Sequence, residues 1–391
     1  MTEENEIKQP EKKETLIRKQ EKRIQRLNHF RKRFPEFSPQ RWVKVGEIFG
    51  LVILLLVNFF LLYPFFGLPD QVNVFSAPVV PVLVTLTEKM APFAYGVRIW
   101  LLVFLIFFPL SFYYFIKGIS NRKLTAFLAS FLVILPIGVF LRARVELGLL
   151  GEDGAHIASL SLTPLVCLLL LRFLRTGKFW VGIFAVLGTT LVALTSPIGL
   201  LVLTIFMGVI TFSEVLLGGG RLKFLRSLVV LILVIGFSAF WYNPKFAILT
   251  IQSSQGQLVK KTLANLLPVS FFLLPILGVL GFLLFENQPQ LQPMFVAFFL
   301  TISFGLFSLG AGVAHPAPSR FLPAFGLSLA FLLGVLITWL FDFLRTSPKF
   351  KRFKAILVYR RLIAFALIGF ISLLMFVVIV FSCRSFWELG E

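Results

Sequence analysis

The chain has 391 residues, of which 58% are hydrophobic and only 14% are charged, and its formal net charge is +20. A soluble domain carries about 25% charged residues, so this composition and a mean hydropathy of +0.90 exclude an ordinary soluble protein. The basic excess does not indicate nucleic-acid binding, because the cations lie in short clusters between apolar runs.

Residues 1–45 form a basic tail that contains thirteen of the 38 Lys and Arg residues together with seven Glu. Apolar side chains recur in it at roughly helical spacing: Leu16, Ile17, Ile24, Leu27 and Phe34. Such a segment either lies on the anionic cytoplasmic face of a membrane or is a solvated, partly disordered tail.

Residues 46–384 form the predicted membrane domain, and a short outer tail follows at 385–391. Apolar runs long enough to cross a bilayer predict an all-α integral membrane bundle of about eleven transmembrane helices. The predicted spans lie near 47–66, 99–117, 124–141, 157–173, 179–195, 198–217, 225–242, 266–285, 292–310, 321–341 and 362–382.

The distribution of Lys and Arg predicts the orientation of these spans. With the N-terminus in the cytoplasm, 29 cations fall inside and nine fall outside. The opposite orientation inverts that ratio, so the positive-inside rule favours a cytoplasmic N-terminus. We expect the protein to lie in the cell membrane.

The first outer loop, residues 67–98, contains an acidic residue close to the first span. Asp70 follows Pro69 and lies next to the predicted lipid surface, where a carboxylate can bind a cation or act as a general base. The alternative is a loop Asp that starts a turn. The apolar stretch at 79–86 is too short to span and is a candidate interfacial helix.

A second outer loop, residues 142–156, ends in Asp153, which is expected to cap a helix, and in His156 one turn into that helix. His156 either faces a cavity or is an interfacial His bonded to the backbone. Near the last outer loop His315 and Arg320 flank a rigid Pro-x-Pro stretch. An Arg in this place either grips a phosphate or snorkels to the interface.

The rare ionisable residues therefore concentrate at the predicted outer face. On the inner side, the acids beyond the first span are Glu214, Glu286 and Asp342, which we expect to be solvated at helix ends. An acid, two histidines and an arginine near the same surface predict a binding site made of Asp70, His156, His315 and Arg320.

The order of these features resembles the GT-C superfamily of membrane glycosyltransferases, and within it the bacterial and archaeal "6-pyruvoyl-tetrahydropterin synthase-related" family. The matching stretches are loose and scattered over roughly 45–345: Leu68-Pro-Asp70 through Pro81, 109–129, Gly151-Glu-Asp-Gly-Ala-His156 through Pro164, Leu194-Thr-Ser-Pro197, and Ser319-Arg320-Phe-Leu-Pro.

The resemblance implies an enzyme that uses a polyprenyl-phosphate sugar donor at the outer face. It assigns Asp70 as the base or metal ligand, with a divalent cation such as Mg or Mn as cofactor, and Arg320 as the ligand of the lipid phosphate. His315 and His156 are the remaining candidate substrate-binding residues. The sequence departs from the family in its single acid at Asp70, where many members have a pair.

Two other classes of function stay open. A transporter or flippase of a lipid-linked or anionic substrate would use paired ionisable groups near the membrane midplane, and the centres of the predicted spans contain almost none. A non-catalytic membrane assembly protein would have a packed outer face without a cavity beside Asp70 and Arg320.

Overall fold

The computed structural model describes residues 39–67, 77–90, 96–151, 153–218, 220–253, 289–309, 318–346 and 382–389, with a few single residues between 257 and 283. Within these ranges the regular structure is helical and includes no strand. The described part therefore agrees with the all-α prediction.

The helices begin and end mostly at charged residues, Gly, Pro or short turns. In chain order they are α1 (Pro39–Leu62), α2 (Val79–Met90), α3 (Gly96–Ser120), α4 (Lys123–Val133), α5 (Leu141–Val145), α6 (Gly154–Thr176), α7 (Phe179–Ala193), α8 (Pro197–Leu216), α9 (Gly220–Ser238), α10 (Pro244–Gln252), α11 (Gln292–Leu309) and α12 (Leu322–Thr346).

Contacts divide the chain into two units, Met1–Ile53 and Leu54–Glu391. The described part of the first unit, residues 39–53, belongs to α1. The second unit contains the helix bundle that is described below.

Five helical segments are long and apolar enough to cross a membrane: Val45–Gly67, Gly96–Ser120, Gly154–Thr176, Pro197–Leu216 and Ser319–Phe343. Three further apolar helices, at Lys123–Val133, Phe179–Ala193 and Gln292–Ser308, are shorter. These helices suit a lipid bilayer environment, because a helix keeps all its backbone hydrogen bonds within itself. The spans predicted near 266–285 and 362–382 lie largely outside the described residues.

The predicted span at 124–141 is wrong as a continuous helix. Helix α4 ends at Val133 after 11 residues, which is roughly 16 Å of helix against the roughly 30 Å of a bilayer core. Pro136 disfavours helical backbone at the residue before it, and Gly138 adopts a left-handed φ of 40°. Hydropathy misses this break because the turn itself is apolar.

The predicted outer loop at 142–156 is also more regular than expected. Its first half is the short helix α5, which continues as a π-helical turn over Glu146–Leu150. By contrast, Pro164 lies inside an unbroken α6. Pro197 opens α8 with Ser196 as its N-cap, a position where a proline costs little.

Helix α6 lies in the middle of the bundle and packs against α3, α7, α8 and α9. Small side chains allow this close packing. Ala158 and Ser159 are fully buried, and Gly199 at the start of α8 lies so close to Ser159 that a Cβ atom there would overlap the Ser159 side chain.

A buried polar cluster joins the ends of four helices on the side where α6 ends. Glu214 of α8 is only 1% exposed and accepts hydrogen bonds from Arg175 of α6, Lys223 of α9 and Gln292 of α11, at 2.8, 2.9 and 2.8 Å. The expectation that Glu214 is solvated is therefore wrong. In α12, Asp342 is instead half-exposed and pairs with Arg122.

We predict that Gly199→Ala destabilises the protein by about 1–3 kcal/mol, because the added methyl group overpacks the contact between α8 and α6. The free energy of unfolding in mixed detergent micelles measures this effect. Gly208→Ala on the same helix is the matched control, since a Cβ there meets nothing within 4 Å. Equal effects of the two substitutions would contradict the close approach of Gly199 to Ser159. Ser159→Gly should restore part of the stability that Gly199→Ala removes, because it takes away the side chain that the new methyl group meets.

We also predict that Glu214→Ala lowers the free energy of unfolding by about 3–5 kcal/mol, because it leaves Arg175 and Lys223 without their shared buried anion. Asp342→Ala should cost at most about 1 kcal/mol, because its pair with Arg122 is half-exposed to solvent. A cost for Glu214→Ala as small as that for Asp342→Ala would show that the cluster does not hold the four helices together.

Candidate functional site

The structure brings His156 and Arg320 together, although they are 164 positions apart in the chain. His156 lies in the first turn of α6, and Arg320 lies in the 3-10 turn Pro318–Phe321 that precedes α12. The His156 Nε2 atom donates to the Arg320 carbonyl oxygen at 2.9 Å, and the ring is fully buried. The sequence left two alternatives for His156, a side chain facing a cavity and one bonded to the backbone. This contact supports the second.

Asp153 completes this group. Its Oδ2 atom lies 3.1 Å from Nε of Arg320, with the two side chains 17% and 39% exposed. Asp153 occupies the N-cap position of α6, but its side chain makes no capping hydrogen bond. The carboxylate therefore serves mainly as the ionic partner of Arg320, which the sequence pattern of a cap did not indicate.

The other two predicted site residues, Asp70 and His315, lie outside the described residues. Their roles stay predictions. Within the part of the chain that the structure describes, no group of three or more His, Cys, Asp or Glu side chains is placed to hold a metal ion.

Sequence reasoning missed a buried arginine close to this region. Arg144 of α5 is 1% exposed, and its guanidinium carbon lies 4.3 Å from the centre of the Phe108 ring. Its Nη2 atom donates to the carbonyl oxygen of Val133, the last residue of α4. Arg144 thus caps the helix end that the turn at Pro136 creates, where a cation is favoured by the helix dipole.

Arg144 also lies deep in the bundle. Phe108 is twelve residues from either end of α3, roughly 18 Å along the axis in each direction. Among the described residues, the Nε and Nη1 atoms of Arg144 have no hydrogen-bond partner. The Arg-x-Arg pair at 142 and 144 was the sequence signal that could have drawn attention to Arg144. Its other member, Arg142, is more exposed and pairs with Glu146.

Two neighbouring segments are hydrogen-bonded to the end of α7. The Tyr242 hydroxyl donates to the carbonyl of Ala193, and the Val79 amide donates to the carbonyl of Leu194 at 3.1 Å. The start of α2 and the segment after α9 are thereby tied to the same helix end.

The exposure of Arg320 determines what the group can do chemically. Its ion pair with Asp153 uses Nε, and the two terminal nitrogens carry the planar fork of N–H donors that matches a phosphate. A partly exposed pair of this kind is worth about 0–1 kcal/mol, so an anion with more charge than one carboxylate can compete for the guanidinium. His156 meanwhile fixes the backbone of Arg320.

No protein-family model matches the chain, and no curated protein sequence matches it. An assignment of function therefore depends on the residues and geometry given above.

We predict that His156→Leu lowers the free energy of unfolding by about 1–3 kcal/mol, because the carbonyl of Arg320 loses a buried donor. Asp153→Asn should cost less than about 1 kcal/mol, because the pair that it breaks is partly exposed. Chemical denaturation in mixed micelles measures both. A larger cost for Asp153→Asn would mean that the ion pair, rather than the histidine, anchors the turn before α12.

Proposed function

We propose that the protein is a GT-C-like membrane glycosyltransferase that moves a sugar from a polyprenyl-phosphate donor to an acceptor at the outer face of the cell membrane. The observation that carries the proposal is the partly exposed Arg320, held in the turn before α12 by Asp153 and by the backbone contact to His156. A fixed, accessible guanidinium is suited to a phosphate that gains charge as the sugar leaves it.

In this proposal Asp70 assists deprotonation of the acceptor hydroxyl, directly or through a bound divalent cation, and His315 adds positive charge or moves a proton at the same anion. Arg320 binds the lipid phosphate. About eleven spans and a cytoplasmic N-terminus belong to the same proposal, supported by the charge asymmetry of the loops.

The second candidate is a transporter or flippase for the same class of anionic, lipid-linked substrate. The observation in its favour is Arg144, a buried cation level with the middle of α3. Ionisable groups at such a depth are expensive in a membrane and often mark a substrate path.

Purified protein in liposomes, supplied with polyprenyl-phosphate sugars and a candidate acceptor, tests the two against each other. Under the proposal, Asp70→Asn abolishes sugar transfer. Arg320→Ala lowers kcat/KM by about 10- to 100-fold, the factor expected for the loss of one charge-assisted hydrogen bond to the donor. Movement of the donor across the bilayer without transfer would instead favour the flippase.

Arg142→Ala is the matched control for Arg320→Ala. Both arginines are partly exposed, at 36% and 39%, and both pair with a carboxylate. Arg142→Ala should therefore leave transfer near the wild-type rate. Undiminished transfer in Asp70→Asn and Arg320→Ala would refute the proposed roles.

A further inference from the structure

A groove of about 610 Å³ lies along α7 and α9, on the side of the bundle where α6 ends. Its lining includes apolar side chains from all three helices, such as Phe173, Leu187 and Phe237. Among the described residues that line it, Arg226 is the one with a charged side chain.

The length of this α7–α9 groove matches one leaflet of a membrane. Arg226 and Phe237 both line it and are eleven residues apart on α9, which is roughly 16 Å along the helix axis. Half of a bilayer core is about 15 Å. Phe179 and Trp180, which are 73% and 69% exposed, lie at the start of α7 and mark the headgroup level at the Arg226 end.

Arg226 is fixed at the mouth of the groove. Its Nη1 atom donates to the carbonyl of Leu174 at 2.7 Å, near the end of α6. Gly177, with a left-handed φ of 65°, makes room for this contact, because a Cβ atom there would overlap the guanidinium. The exposed Lys178 follows directly in the chain and adds a second cation at the same end.

We propose that the α7–α9 groove binds an anionic phospholipid, with one acyl chain along the groove and the phosphate on Arg226. In the topology proposed above this lipid belongs to the inner leaflet. A basic residue at the end of an apolar groove between membrane helices is the chemistry that recognises an anionic headgroup. The site lies at the end of α6 opposite to His156, so it is separate from the proposed transfer site.

A neighbouring groove provides an internal comparison. It measures about 380 Å³, lies between α8 and α9, and has no charged side chain among its described lining residues. Both grooves accept hydrocarbon in a membrane, but only a groove with a cation at the headgroup level discriminates between anionic and zwitterionic lipids.

Native mass spectrometry of the purified full chain, titrated with phosphatidylglycerol or phosphatidylcholine of the same acyl chains, measures this discrimination. Wild-type protein should prefer phosphatidylglycerol. Arg226→Gln should weaken phosphatidylglycerol binding about fivefold, the effect of one cation near an anionic lipid. It should weaken phosphatidylcholine binding by a smaller factor, because the choline cation already neutralises that lipid's phosphate. Leu233→Trp, which fills the groove without touching the Leu174 contact, should weaken the binding of both lipids.

Two matched controls separate this site from general surface charge and from lipid contact elsewhere. Arg221→Gln removes an exposed cation from the first turn of α9 that does not line the groove, and Leu231→Trp fills the neighbouring groove. Both should keep the wild-type preference for phosphatidylglycerol.

Three results would overturn the proposal. The first is a wild-type lipid preference in Arg226→Gln, or unchanged binding of both lipids in Leu233→Trp. The second is an equal loss of preference in Arg221→Gln, which would indicate general surface charge. The third is binding of glycerol phosphate as tight as that of phosphatidylglycerol, which would show that the groove holds no acyl chain.

Discussion

The close packing of α6 inside the bundle is the constraint on which the other described features depend. Its small side chains allow α8 to approach until Gly199 meets Ser159. The two polar clusters lie at its two ends, with Asp153 and His156 at the start and Arg175 at the end. Because one helix carries both groups, a change in its packing displaces the candidate site and the Glu214 cluster together.

Hydropathy predicted the position of a helix correctly where a long apolar run ends at a charged residue or at a turn residue. The predicted spans at 198–217 and 292–310 correspond closely to Pro197–Leu216 and Gln292–Leu309. The same reasoning failed after Val133, because the turn through Pro136 and Gly138 is as apolar as the helix before it. Hydropathy averages composition over a window, whereas a helix ends when one residue adopts a backbone angle that the helix does not allow.

The candidate site was predictable as a set of residue types but not as a set of contacts. The sequence predicts that His156 and Arg320 belong to one site, but it indicates neither that the His156 ring bonds to the Arg320 backbone nor that Asp153 pairs with Arg320. The prediction that Glu214 is solvated was wrong for the same reason, because the sequence does not show which distant helix ends meet. A helix-end acid is normally solvated, but here the ends of α6, α9 and α11 converge on it and supply three donors.

Arg144 is the observation in favour of a flippase, yet its charge also suits a transferase with an anionic substrate. Its contact to Val133 gives it a structural role, because an uncapped helix end deep in the bundle would leave carbonyl groups unsatisfied. That role uses Nη2 and leaves the positive charge of the buried guanidinium in place. Among the described residues, no carboxylate pairs with Arg144, and Arg320 pairs with Asp153 through Nε. An excess of positive charge favours an anionic substrate, which is the property that a polyprenyl-phosphate transferase and a flippase share.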